Sequence, residues 1–200
     1  MGLFLSAANA WASLLSTSYK LRIGHKGTMK ELLLQFHAVN FDHLSGMHYA
    51  KDIDFKRHRK EYQGAKLLSV LQSGVLDDSL IEKSVNWPKI SNRLTAIIHL
   101  QEILESDFEI YSFSPSRLPF PSKIQAAYFL FSEAINDGVF LFLDEKSGSY
   151  YCKSAFHDDA HDYRAGQSRW TVLTKSRCSA DSEILLYKNP HYKEINGQIL

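Results

Sequence analysis

From residue 108 to residue 188 the chain breaks into six short runs, "FEIYSF", "KIQAAYFLFS", "GVFLFLD", "YYCKSAF", "RWTVLT" and "EILLYK", all rich in aromatic and β-branched residues. Such residues suit a pleated, half-buried surface, so each run reads as a strand. Turn signals stand between them: Ser114-Pro115, Asn136-Asp137-Gly138, Lys146-Ser147-Gly148 and the longer "HDDAHDYRAGQS". Connections of hairpin length join strands that run in opposite directions, and the prediction is an antiparallel sheet.

The first hundred residues have a different texture. "YKLRIG" and "MKELLLQF", separated by "HKGT", predict a β-hairpin. Ahead of it Leu3, Ala7, Ala10, Leu14 and Leu15 recur at helical spacing, which predicts a first helix packed on the domain. A secretory leader is not expected, because no basic residue precedes Leu3. Met1-Gly2 with Ser6 matches a myristoylation site over only a short stretch. Asn40 or Asp42 caps a predicted helix running through Tyr49, "GAKLLSVLQSG" predicts another, and "SNRLTAIIHLQEILES" a third that starts at Ser91 or Asn92. In the third helix Leu94, Ile97, Ile98, Leu100, Ile103 and Leu104 form the buried side, with His99 a core or boundary residue. The order is α+β: N-terminal helix and β-hairpin, central helices, then a C-terminal antiparallel β-sheet. We expect a single domain over 1–200, with a helical half at about 1–107 and a sheet half at about 108–190, joined through the loop "SPSRLPFPS".

A chain of 200 residues buries a core without disulfides or a structural metal. Cys152 and Cys178 have no metal-ligand spacing, so free thiols in a reducing, cytoplasmic setting are expected. No apolar run is long enough to span a bilayer. The formal charge of +1 means that nucleic-acid binding would rest on a local patch. "KDIDFKRHRK" offers one, with Lys51, Lys56, Arg57, Arg59 and Lys60 against Asp52 and Asp54, although a solvated face is the commoner meaning of such a run.

Motifs narrow the chemistry by their absence. The chain holds no GxxxxGK[ST], GxGxxG or GxSxG sequence. "HDDAH" places His157 and His161 four apart, but in a loop without a third ligand, so neither metal nor cofactor is expected. Metal-free acid–base chemistry with cationic support is left. Its candidates are His43, His48 and Lys51, then Lys123, Tyr128, Lys153, Ser154, Arg169 and Thr171. A ribonuclease of this kind needs a base for the ribose 2′-hydroxyl, an acid for the departing 5′-oxygen, and cations for the phosphorane. Tyr150, Tyr151, Phe156 and Trp170 either stack on unpaired bases or fill the core.

"NFDHLSGMHYAKDID" resembles the Asn-Phe-x-His-Leu-x-Gly signature of the fourth phage-associated subgroup of barnase/EndoU/colicin/RelE-like (BECR) nucleases. Downstream, "SKIQAAYFLFS" is similar to that family's Lys-Ile-x-x-x-Tyr strand, "VFLFLDEKSGSYYCKSAF" to its Leu-Phe-Leu-Asp hairpin ending in Ser-x-Phe, and "YRAGQSRWTVLTK" to its Gly-Gln-x-x-Tyr-Thr-Val-Leu strand. These ordered blocks span Tyr19 to Lys175. The resemblance implies a BECR-like fold and a metal-independent endoribonuclease in phage, prophage and mobile-element conflict. It implies RNA as partner, and toxin-like action raises a cognate antitoxin or immunity protein as a second.

Carried over by position, the resemblance implicates His43, Lys123, Tyr128, Ser154 with Phe156, and Thr171. Ala155 stands where the family usually has an aromatic, and Trp170 where it has Tyr. We add Lys51 to the catalytic candidates, with Lys56, Arg57, Arg59, Lys60, Lys153, Phe156 and Arg169 as RNA-binding candidates. Gly46 is expected to let a helix approach closely. His43 has two readings: a general acid or base facing the sheet, or a helix cap bonded to a buried carbonyl. Two further classes stay open, a non-catalytic RNA- or protein-binding module on the same fold and a transferase using NAD or another nucleotide.

Overall fold

The computed structural model describes residues 2–53, 62–76, 78–135, 138–158 and 160–193. Helix α1 (Leu3–Leu14) comes first, and its buried stripe is Phe4, Ala7, Ala8, Trp11 and Leu14. That stripe is rotated from the expected one, leaving Leu15 exposed. The two large rings decide the rotation: Trp11 packs edge-on against Phe36 at 5.5 Å and Phe4 against Phe41 at 6.0 Å.

Strands β1 (Ser18–His25) and β2 (Thr28–Gln35) form the predicted hairpin. Its turn is Lys26-Gly27, both at positive φ, the geometry that matches the right-handed twist of the flanking strands. Six more strands follow: β3 (Glu109–Ser112), β4 (Tyr128–Ser132), β5 (Val139–Lys146), β6 (Ser149–Phe156), β7 (Ser168–Cys178) and β8 (Glu183–Lys188). The hairpin joins them in one sheet of order β1-β2-β6-β5-β4-β3-β7-β8, and β1 also pairs with β7. The ladder therefore closes into a ring of seven strands, with β8 lying beside the C-terminal part of β7. Every pairing is antiparallel except β2–β6, which meet in parallel over Leu34↔Tyr150 and Gln35↔Tyr151.

The helical layer is more broken than its periodicity suggests. The predicted helix over 40–49 is α2 (Asn40–Leu44), a left-handed Gly46 at φ 77, and one 3₁₀ turn at Met47–Tyr49. Helices α3 (Ala65–Gln72) and α4 (Asp78–Glu82) follow. The next helix starts earlier than Ser91: α5 runs Trp87–Ile98 with Pro88 in its first turn, where a missing N–H costs nothing. It breaks at His99 before α6 (Leu100–Glu105), and His99 Nδ1 bonds Glu102 at 2.9 Å. "SPSRLPFPS" lies between β3 and β4, within the sheet, and not between helices and sheet.

Strand pleating divides the sheet's residues between two apolar clusters. Along β5, Leu141 and Leu143 join the main core with the helices, while Phe140 and Phe142 join a second cluster with Tyr111, Phe113, Phe129 and Tyr163. That second cluster lies on the face of β3–β6 that the main core does not use.

Candidate active site

Three elements meet where α2, α5 and β6 pack together. The ladder between β5 and β6 slips there: Phe142 opposes Ser154 and Leu143 opposes Cys152, which leaves Lys153 as an extra residue. A bulge of this kind bends a strand and re-aims the side chains beside it. Lys153 and Ser154 consequently lie close to the second apolar face, where Lys153 Nζ bonds Asp144 at 2.5 Å.

Arg93, one residue from Leu94 on the buried stripe of α5, reaches across to β6. Its Nη1 donates to Ser154 Oγ at 3.0 Å and its Nη2 to the Tyr49 hydroxyl at 3.4 Å. The guanidinium lies 5.4 Å from the ring centroids of both Tyr49 and Phe156, within cation–π range. Among the described residues no carboxylate pairs with it. Neighbouring Asn92 ties the helix down, its Oδ1 accepting from His157 N at 2.9 Å and its Nδ2 donating to His157 O at 3.0 Å. Gly46 underlies the same group, since a Cβ there would stand 2.9 Å from Arg93 Cδ and 3.2 Å from Tyr49 Cδ2. The expected close approach at Gly46 is thus to Arg93.

His43, exposed on α2, stacks on His48 with ring centroids 4.8 Å apart and 13° between planes. His48 leans in turn on Tyr49 at 4.1 Å. Surrounding protein lowers the His43 pKa, Arg93 and Lys153 lower it further, and Asp42 acts against them. Burial, then His43, Arg93 and Lys51, bring His48 down to about 4. Both rings are therefore uncharged at neutral pH, and the cations of the cluster are Arg93 and Lys153. His48 Nδ1 is buried and has no partner among the described residues.

The sequence candidates divide among several places. His43, Lys153, Ser154 and Phe156 gather around Arg93, with Lys51 near enough for its charge to act on His48. Tyr128 does not join them. It pairs with Leu143, which pairs with Cys152, so it leaves the sheet on the face opposite Phe142 and its partner Ser154. There it meets Tyr150 at 5.8 Å, Trp170 at 6.0 Å and Lys30 at 5.7 Å. Thr171 and Arg169 line a cavity of about 940 Å³ beside β3 and β8, and Arg169 is paired with Glu109 at 2.8 Å. Lys123 is exposed in the extended chain before β4. Lys56, Arg57, Arg59 and Lys60 lie outside the described residues. In "HDDAH", His157 Nδ1 bonds Gly138 O at 2.7 Å and His161 Nδ1 bonds Asp158 at 3.0 Å. Among the described residues no group of three or more His, Cys, Asp or Glu is arranged to hold a metal ion.

Sequence reasoning missed Arg93, Asn92 and Tyr49. The available signal was Arg93 at the border of an apolar stripe, four residues after Lys89, which itself lies 6.0 Å over the Tyr49 ring.

The fold is a mixed α+β domain with a cationic, histidine-bearing cluster on one face of its sheet. Family comparison makes the assignment specific: residues 4–190 match the model of the phage-Barnase-EndoU-ColicinE5/D-RelE like nuclease4 family, and the chain belongs to that family. No curated protein and no solved structure matches it. No helix among the described residues is long and apolar enough to cross a membrane.

Proposed function

We propose that the protein is a metal-independent endoribonuclease that cleaves RNA by 2′-hydroxyl transesterification at the cluster around Arg93. One observation carries this reading: a half-buried guanidinium with no carboxylate partner among the described residues, beside an exposed histidine. A cation kept without a counter-ion is suited to an incoming phosphate, and Arg matches phosphate geometry with paired donors. His43, uncharged at neutral pH, removes the 2′-hydroxyl proton. Arg93 and Lys153 stabilise the charge that builds on the phosphorus, and Tyr49 returns a proton toward the 5′-oxygen. The products are a 2′,3′-cyclic phosphate and a 5′-hydroxyl end. Lys51 and the Lys56–Lys60 run draw the RNA backbone in. We place the activity in conflict between phages, mobile elements and their hosts, as a toxin-like domain with a cognate antitoxin or immunity protein.

The test is incubation with total RNA in EDTA beside His43→Ala, with 5′-hydroxyl ends mapped by sequencing. Defined cuts that disappear in the variant support the reading. Intact RNA with a salt-sensitive gel shift points instead to a binding module.

A further inference from the structure

Tyr163 is more than nine-tenths buried, with its ring set among Phe142 at 5.2 Å, Phe120 at 5.1 Å and Phe156 at 5.7 Å. Phe156 is the ring over which Arg93 lies. A buried phenol ordinarily finds a hydrogen-bond partner. Among the described residues the Tyr163 hydroxyl has none, yet the buried polar atoms without partners are His48 Nδ1 and Trp170 Nε1. The tip of Tyr163 therefore opens to solvent while its ring is held fast.

We infer that the Tyr163 hydroxyl donates a hydrogen bond to a phosphate oxygen held by Arg93, as a further catalytic residue of the nuclease reading above, on which this inference rests. Ring contacts with Phe120, Phe140, Phe142, Phe156 and His161 fix the position of the hydroxyl oxygen, so the donor is set before the ligand arrives. Tyr163 and Arg93 pack on the same ring, Phe156, with centroid distances of 5.7 Å and 5.4 Å, and the charges of Asp158, Arg93 and Tyr49 bear on the Tyr163 proton. Burial, followed by Asp158 and Tyr49, raises the Tyr163 pKa against Arg93, keeping the phenol protonated at neutral pH as a donor must be. Phosphate oxygens would thus meet two nitrogen donors from α5 and one oxygen donor from the loop before β7. The Arg93 bonds to Ser154 and Tyr49 hold the guanidinium in place until then.

Tyr163→Phe tests this, because it keeps the ring and removes only the hydroxyl. Two readouts are taken on the full chain: turnover of RNA, and affinity for inorganic phosphate by calorimetry, with the melting temperature as a check on the fold. The expected result is a loss of roughly ten- to a hundredfold in kcat and a weakening of phosphate binding by about tenfold, the effect of a hydrogen bond to a charged group. If the wild type cleaves RNA and Tyr163→Phe cleaves equally well, the role of Tyr163 is overturned and the nuclease reading stands. If the wild type does not cleave but Tyr163→Phe still weakens phosphate binding, the nuclease reading falls and the oxyanion contact stands. Equal phosphate affinity in both proteins overturns the contact.

Discussion

Arg93 and Ser154 join the helical layer to the sheet through a single 3.0 Å hydrogen bond from Nη1 to Oγ. Ser154 is itself 5% exposed, so the bond forms where water competes poorly. It fixes a long cationic side chain at the point where the β5–β6 ladder slips.

Ser154→Ala should separate positioning from stability. It removes one acceptor and leaves an arginine that still reaches solvent, so the loss of stability is expected to be about 1 kcal/mol. RNA cleavage should fall by about tenfold or more, since a loosened guanidinium no longer holds the phosphate in register. Urea unfolding and a cleavage assay on the same sample check both figures.

The pH dependence of cleavage should report His43. The base must be unprotonated, so activity rises with pH through the His43 pKa, and burial first, then the nearby cations Arg93 and Lys153, hold that pKa below its ordinary value of 6.5. Arg93→Gln removes one of those cations, and the His43 midpoint should move to higher pH. A proton NMR titration of the His43 ring follows this even where activity is too low to measure.

Gly46→Ala should be worse than its chemistry suggests. Left-handed backbone costs an L-residue about 1 kcal/mol, and here the new Cβ also meets Arg93 Cδ at 2.9 Å. Gly74→Ala is the control, with φ +73 and nothing within 4 Å of the added carbon. Thermal melts should show a larger loss of stability in Gly46→Ala than in Gly74→Ala, with loss of cleavage in Gly46→Ala only.

Acid should unlock the contact between α6 and the barrel. Burial raises the Glu105 pKa, but hydrogen bonds from Tyr19, Gln101 and Arg177 outweigh it, and the net shift is downward. A carboxyl held low in the fold contributes stability above its unfolded pKa of about 4.3, and that contribution is lost as pH falls through the folded value. Glu105→Gln should lower stability at neutral pH and flatten its decline in acid. Urea midpoints at pH 7, 5 and 3.5 measure it.

Local chemistry made much of the fold legible. The strands after residue 108, the first hairpin and the α+β order all follow from side-chain type and turn residues. What escaped depends on distant partners: no local pattern tells β1 that it will pair with β7, or β2 that it will run parallel to β6. The same is true of the candidate site. His43, Lys153, Ser154 and Phe156 were legible as polar or aromatic residues in matching motifs, and they do gather. Tyr128 carried an equally good motif, but strand pleat, with Tyr128 paired to Leu143, sends it to the other face. Arg93 stands in a stretch whose apolar periodicity hides it, because only packing brings α5 against β6.

The closed ring sets a timetable. A chain emerging from the ribosome presents β1 and β2 early, yet the outer edge of β1 has no neighbour until β7 is made, and such non-local pairing is slow. Arg93 likewise precedes the serine that holds it. The half-synthesised chain consequently carries His43, His48 and Arg93 before the Ser154 contact that fixes the guanidinium exists, and the cluster comes together only when nearly the whole domain has been released.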